Sequence, residues 1–441
     1  MKKRNIIIVE IFSAGTNYIH DIRKMGHNPI SLELYHPKEK RKEIRKILDK
    51  IYSLNHEEPP QILEGDKSYE KTLEKVKELN PLAILPGSDD GIIWATRLAH
   101  DLGLRGNDPK NLKKMIDKKY AQDALKKANI RHIKSQFVSS FDEAKEFVSK
   151  LDKLEVVVKP SVGQGTIGVC ICKNEDELKD AFAFNEDLSF DIDLNEDTKM
   201  IIQEYIGGKE YVVNTVCCEG HNRPISAYSY EKIEIEGRGA IYDYDMAIDE
   251  THPHFKELEE YNEKVISALD LKYGVVHGEY KLDENGPVLI EMNCRIPGPF
   301  QKHTLLDKVW GHHSTALSLE SYINPEECIK KSDRPLKLLT YFIIKSIIIY
   351  EGIDVIKQTF DEAFKDSESY MYGASLGDNR TYSKTIDLLT SGGNVFLVNS
   401  DKNKLMEDLN TIRRMEKFEI EKIYKIKKFH KRIRSRKSKR H

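Results

Sequence analysis

The chain has 441 residues, room for two or three domains with a sizeable core, and its 39% hydrophobic and 32% charged residues exclude collagen-like and wholly disordered classes. Lys and Arg (70) against Asp and Glu (72) give a net charge of −2. Eleven Lys/Arg and no acid fall between Lys422 and His441, so residues 1–421 carry a net −13, a poor sign for non-specific nucleic-acid binding.

Ile6–Val9 is a short continuous apolar run, as expected of a strand buried on both faces of a parallel sheet. A turn at Ser13–Thr16, a helix over Tyr18–Met25 capped by Gly26, a strand over Pro29–Leu34 and a charged helix over Lys38–Tyr52 follow. Ala83–Pro86 ends another strand, and Gly91–Leu102 reads as helix, so residues 1–107 form an α/β layer. Asp108-Pro109 opens a helix whose pattern runs through Met115–Ala128, and Asp142–Leu151 is a further helix. Strands are expected at Val156–Pro160, Val169–Cys172, Met200–Ile206 and Tyr211–Cys217. Tyr228–Ile235 and Ala240–Ala247 form a hairpin around Gly237 and Gly239, and a helix over His254–Leu269 precedes strands at Val275–Leu282 and Pro287–Met292. Residues 335–421 combine strands (Leu336–Ile344, Asn394–Val398) with a helix over Lys402–Glu416.

Six cysteines are too few for a disulfide framework and read as buried reduced thiols, with a Cys170-x-Cys172 metal site as the rival. The apolar run Tyr341–Tyr350 is broken by Lys345 and Ser346, and Ile6–Val9 is cut by Glu10 with no small-residue cleavage site after it. A cytoplasmic protein without a membrane span is expected.

Gly163-Gln164-Gly165-Thr166-Ile167-Gly168 spells GxGxxG, but a β-favouring Val-Cys-Ile-Cys follows it. A dinucleotide fingerprint must open a helix whose N-terminus takes the pyrophosphate, so this loop instead joins two antiparallel strands. No Gly-Lys-Ser/Thr follows, which excludes a Walker loop, and no His-Arg-Asp or Asp-Phe-Gly accompanies it, which excludes a kinase. A tight surface hairpin remains one reading of the loop. Lys159 just before it and Thr166 within it favour phosphate binding.

His277-Gly278-Glu279 and Glu291-Met292-Asn293 lie on strands joined at Asn285-Gly286, so cross-strand pairing can bring Glu279 to Glu291. Asn293 projects to the same face as Glu291. Two carboxylates and an amide oxygen are hard ligands suited to Mg²⁺; a solvated acidic turn is the plainer alternative. Acids ending the apolar run Val288–Ile290 need a partner, which favours the metal. Arg295 continues the alternation and can stabilise phosphoryl charge.

Together, Asp117-Lys118, Val158-Lys159-Pro160, the loop ending Gly168-Val169, Gln203–Ile206 with Glu210, His277-Gly278-Glu279 and Ile290–Arg295 resemble the ATP-grasp superfamily of carboxylate–amine ligases, in its motif order. Tyr228–Lys232, Ile241–Asp243 and Arg295–Pro299 are similar to the amino-acid ligases of the bacilysin-synthetase and dapdiamide-synthetase type. The resemblance implies α/β and α+β architecture: a pre-ATP-grasp α/β domain (1–107), a two-lobed ATP-binding core (108–330, lobes about 120–205 and 206–330), a small α+β C-terminal domain (331–421) and a basic tail (422–441). It implies ATP and two Mg²⁺, with Mn²⁺ an alternative, amino acids as small-molecule substrates, and a homodimer.

Carried over by position, Lys118 and Lys159 neutralise phosphate charge, and the amides of Gly163, Gly165, Thr166 and Gly168 close over the β/γ groups. Gln203, Glu204, Tyr205 and Ile206 form the adenine hinge, and Glu210 takes the ribose hydroxyls. Glu279, Glu291 and Asn293 hold the metal, and Arg295 acts with Lys159 in catalysis by holding the acyl phosphate. The role of His277 stays open. Pro299 replaces a glycine of the family pattern, and Gln203 replaces the usual glutamate. The implied reaction is ATP-dependent amide formation between an amino-acid carboxylate and an amine. Its alternatives are a purine- or carbamoyl-type ligase and a non-catalytic ATP-binding module. The tail, with Tyr424 and Phe429 among its basic residues, reads as a solvated segment or an amphipathic helix on an anionic surface.

Overall fold

The computed structural model describes residues 3–35, 38–163, 168–191, 199–235, 239–350, 355–357, 360–364, 366–374, 384–386, 390–418 and 424–426. The chain divides into two compact units, residues 1–342 and 343–441.

In the first unit, β1 (Asn5–Val9), α1 (Asn17–Lys24), β2 (Asn28–Glu33), α2 (Lys38–Asn55), β3 (Gln61–Glu64), α3 (Tyr69–Glu78), β4 (Ala83–Pro86) and α4 (Ile92–Asp101) build a parallel sheet of order β3-β2-β1-β4. The continuous apolar run of β1 is explained by its two faces. Ile6 and Ile8 join one buried cluster with Tyr18, Val216 and Leu317, while Ile7 and Val9 join another with Ile30 and Leu98. The turn after β1 is tight because a Cβ on Gly15 would lie 2.1 Å from the Gly87 carbonyl oxygen. β3 has no alternating buried face and does not stand out from the sequence around it, whereas α3, capped by Ser68 with Thr72 and Val76 on its buried face, was missed although it is amphipathic.

The helix expected through Met115–Ala128 is broken. α5 (Leu112–Ile116) ends at Asp117, whose extended backbone (φ −114°, ψ 121°) starts α6 (Lys118–Lys127). The Asp117 carboxylate accepts from Lys119 N (2.8 Å) and Tyr120 N (3.2 Å), so the acid before the motif lysine is a helix cap. β5 (Ser135–Phe137), α7 (Phe141–Val148), β6 (Val156–Pro160), β7 (Cys170–Cys172), α8 (Glu175–Asp191) and β8 (Met200–Glu204) form an antiparallel sheet of order β5-β8-β6-β7. The glycine loop joins antiparallel β6 and β7, as its flanks predict. α8 was legible in its start: Asn174 accepts from Glu177 N (2.9 Å), and the Glu177 carboxylate returns to Lys173 N (2.7 Å).

β9 (Lys209–Cys218), β10 (His221–Ile235), β11 (Gly239–Ile248), α9 (Phe255–Leu269), β12 (Tyr273–Asp283) and β13 (Gly286–Asn293) complete the first unit's larger sheet, with neighbours β13-β12-β9-β10-β11 all antiparallel. Gly237, the expected hairpin tip, lies outside the described residues. α10 (His303–Trp310), α11 (Ser314–Ile323) and α12 (Pro325–Ser332) follow. The strand expected from Leu336 starts later, as β14 (Tyr341–Ser346). Before it, Leu336 O accepts from Glu250 N and Leu338 N donates to the Asp249 carboxylate (3.0 Å), so these backbone groups leave the ladder.

The second unit adds β15 (Val355–Lys357), α13 (Phe360–Phe364), β16 (Tyr370–Ala374), β17 (Asn394–Asn399), α14 (Lys402–Phe418) and β18 (Tyr424–Ile426). β17 lies between β14 and β16, and β15 pairs with β18. Tyr424–Ile426, placed by sequence in a solvated tail, is therefore a paired strand; residues 427–441 lie outside the described residues. All six cysteines are free thiols, and all but Cys170 are buried. Among the described residues, no helix is long and apolar enough to cross a membrane.

Candidate active site

Antiparallel register places directly opposed residues on one face of a sheet. Across β10, β9, β12 and β13, one row is Ser226, Asn214, His277 and Asn293, and the next is Tyr228, Val212, Glu279 and Glu291. A third row brings Asp245, Tyr230, Glu210 and Lys281 alongside, from β11 to β12. The strand alternation read in the sequence thus gathers Glu279, Glu291, Asn293 and Glu210 on one surface. A β-bulge at Glu279/Tyr280 ends the regular pairing beside the acids.

Polar groups link these rows. Asn214 Nδ2 donates to Ser226 Oγ (2.8 Å), while the His277 ring bridges Asn214 Oδ1 (2.7 Å) and Glu279 Oε1 (3.1 Å). Burial opposes ionisation of Glu279, but the His277 hydrogen bond and the charges of His277, Lys232 and Arg295 hold its carboxyl down to about 2. Lys232 Nζ donates to Glu210 Oε1 (2.5 Å) and sits 4.2 Å from the Tyr242 ring centroid. Burial drives the Asp245 carboxyl far up, since its neighbours Glu279, Glu210 and Asp243 outnumber Lys232.

Two lysines meet this acidic face. Lys118, on the first turn of α6, donates to the Gly163 carbonyl (2.8 Å) and lies 3.0 Å from Glu291 Oε1. Lys159, next to last in β6, is almost fully buried, and no carboxylate stands within ion-pair distance of it among the described residues. Burial above all, with the Lys118 charge adding, pulls its ammonium down to about 8, although Glu291, Glu279 and Glu210 pull the other way. Gly168 closes the loop with φ +72°, and a Cβ there would lie 2.7 Å from Asn185 Oδ1 and 2.9 Å from Pro160 Cδ. Gly163 also has positive φ (+142°), whereas Gly165 and Thr166 lie outside the described residues.

The segment Gln203–Ile206 leaves β8 with distinct groups uncommitted. Glu204 N donates to Lys134 O (3.0 Å) and its carboxylate accepts from Lys134 N (2.7 Å), so the Glu204 side chain is engaged in the fold. Tyr205 N donates to Glu155 O (2.9 Å), and Ile206 O accepts from Lys281 Nζ (2.7 Å). Gln203 is buried with Nε2 lacking a hydrogen-bond partner among the described residues. That orphaned amide suits the edge of a purine base, which carries ring-nitrogen acceptors.

Arg295 follows β13 and donates through Nε to Asp89 Oδ2 (2.9 Å), on the 3-10 turn after β4. Asp89 was not singled out in the sequence, and nothing local marks it, because its partner is 206 residues away. After Arg295, Ile296 and Pro297 help to line a small cavity of about 20 Å³, together with Asn214, Tyr228, Gln301 and Thr315. Asn214, Gln301 and Thr315 were likewise invisible in the sequence. Glu279 and Glu291, opposed across two strands, with the amide of Asn293, form an oxygen donor set that fits Mg²⁺.

Residues 153–301 match the ATP-grasp domain family. The chain is 24% identical over 361 residues to dapdiamide A synthase of Enterobacter agglomerans, covering 80% of this chain and 83% of that one. It is 24% identical over 275 residues to D-alanine–D-alanine ligase of Geobacillus thermodenitrificans, covering 58% and 71%. Among solved structures, the L-amino acid ligase from Bacillus licheniformis superposes with a TM-score of 0.71 at 14% identity, over 94% of this chain and 98% of that one. The fold is the ATP-grasp fold, and residues 153–301 are its family's domain. Within that fold the chain is similar to the L-amino-acid ligases.

Proposed function

We propose that the protein joins the carboxylate of one amino acid to the amine of a second through an acyl phosphate, consuming ATP and releasing ADP and phosphate. The observation that carries this reading is the convergence of Lys118, Lys159, Glu279 and Glu291 on one sheet face, where the Arg295 charge also acts on Glu279.

In this reading Gln203, the Glu204 carbonyl and the Ile206 N–H bind the adenine edge, and Glu210 binds the ribose. Lys118 and Lys159 neutralise the phosphates from two sides, and the amides from Gly163 to Gly168 cover them. Glu279, Glu291 and Asn293 would hold Mg²⁺, which neutralises phosphate charge when bound. A carboxylate oxygen of the donor attacks the γ-phosphorus and ADP departs. The amine then attacks the acyl carbon, and phosphate leaves with that oxygen, carrying the amine's proton away. Arg295, fixed by Asp89, stabilises the oxyanion between these events.

Phosphate release from ATP and Mg²⁺ with amino acids singly and in pairs, with mass spectrometry of the products, tests the reading. Release that needs two amino acids, with a product equal to their sum less water and silence in Glu291→Gln, is the expected result. Binding of ATP without turnover of any pair would move the function to another acceptor or to regulation.

A further inference from the structure

His277 takes no part in the steps above, although it lies on the reacting face, one row from the paired acids. Its ring is held on one side and holds on the other. Ser226, Asn214 and His277 are directly opposed on β10, β9 and β12, so the strand register lines them up. Asn214 Nδ2 donates to Ser226 Oγ (2.8 Å), which turns Asn214 Oδ1 toward the ring Nδ1 (2.7 Å). The ring Nε2 donates to Glu279 Oε1 (3.1 Å), two residues along the same strand and on the same face. Ser226, Asn214 and His277 are all buried.

A buried ring with both nitrogens engaged is an ordinary way to satisfy polar groups in a core. The place where this chain of bonds ends argues for more. Glu279 is directly opposed to Glu291, and like charges facing each other across strands repel. Glu291 has an anchor in Lys118 (3.0 Å), which comes from α6. Among the described residues, His277 is the hydrogen-bond partner that the Glu279 carboxylate has. The bond engages Oε1 and leaves the second oxygen to a cation. Mg²⁺ demands near-octahedral oxygens at short distance, whereas Ca²⁺ takes more oxygens in looser arrangements. A carboxylate fixed in one orientation favours the smaller ion, and one free to swing loses that preference.

We propose that His277 is a positioning residue: held by Asn214 and Ser226, it fixes the Glu279 carboxylate and so sets the preference of the acid pair for Mg²⁺ over Ca²⁺. The inference rests on the metal role given to Glu279 and Glu291 above and specifies what selects the ion. Calorimetric binding of ADP to the full-length protein tests it, once at saturating Mg²⁺ and once at saturating Ca²⁺. The ratio of the two affinities is the readout. Any charge on the ring acts alike on two ions of equal charge, so its loss cancels in that ratio.

The wild type is expected to bind ADP at least about tenfold tighter with Mg²⁺, and His277→Phe to bring the ratio close to one, the scale on which groups behind a metal ligand act. His277→Gln, whose amide still offers a donor, keeps more of the ratio. Asn214→Ala moves it in the same direction as His277→Phe, and the two together add little, because both act through one chain of bonds. A His277→Phe protein that melts earlier yet keeps the wild-type ratio makes the ring structural and overturns the proposal. A wild type that binds ADP equally well with both ions overturns it too. If His277→Phe does not fold, Asn214→Ala decides by the same ratio. A lowered ratio in a protein that turns over no pair of amino acids upholds the positioning role and sinks the ligase reading. Dipeptide synthesis with an unchanged ratio does the reverse.

Discussion

Two buried lysines, one in each unit, show how differently the chain treats an interior charge. Lys345 in the second unit is fully buried and saturated: its Nζ donates to Glu416 Oε1 (2.7 Å) and to the Ser346 carbonyl (2.6 Å). Glu416 also accepts from Ile348 N (2.9 Å), so the pair is built into the backbone. Lys159 in the first unit is nearly as buried, yet no carboxylate reaches ion-pair distance among the described residues, and burial pulls its ammonium down to about 8. A charge completed by the protein holds structure together. A charge left incomplete costs stability and is kept for a ligand that completes it, here in the account above the phosphates of ATP.

The largest effect that could break this contrast is on turnover. Lys159→Met is expected to lower phosphate release by about 10²–10³-fold, the usual consequence of removing one preorganised charge from a transition state. Its thermal midpoint should stay level or rise, since an unpaired buried charge is gone. Unfolding of this variant at wild-type assay temperature would place Lys159 with Lys345 as a structural group. Lys345→Met should do the opposite and destabilise the second unit by about 3–5 kcal/mol in urea, because Glu416 is left buried without its partner. Pairing it with Glu416→Leu should recover part of that loss, less the orphaned Ile348 N–H.

The smallest effect is in pH. With its folded value near 8 against 10.5 for a free lysine, Lys159 loses its proton in the empty site well before the unfolded chain does. The unfolded state therefore binds more protons between these values, and this group makes the fold more stable as pH rises through that window. ATP affinity should move the other way, falling as pH rises through about 8, and ATP binding near pH 8.5 should take up a proton. Calorimetry in buffers of different ionisation enthalpy reads that uptake, and Lys159→Met should abolish it.

The sequence made the fold legible wherever chemistry was local. The apolar run of β1, the alternating strands and the hairpin at Asn285-Gly286 each have one physical solution, and that last pairing sets Glu279 opposite Glu291. The break at Asp117 was missed because a helical period runs across a residue whose side chain caps from an extended backbone. α8 was missed although Asn174 and Glu177 form a reciprocal cap that the sequence displays. Asp89, Asn214, Gln301 and Thr315 carried no local signal. Each gains its place from a partner or a wall made of distant elements, which only the folded chain brings together.

Oxygen labelling distinguishes an acyl phosphate from every other activated donor. The donor amino acid is supplied with ¹⁸O in its carboxylate, and the products of one turnover are analysed by mass spectrometry. The expected products are ADP and inorganic phosphate carrying one ¹⁸O from the carboxylate. Label found in AMP, or phosphate released without label while amide forms, would contradict it.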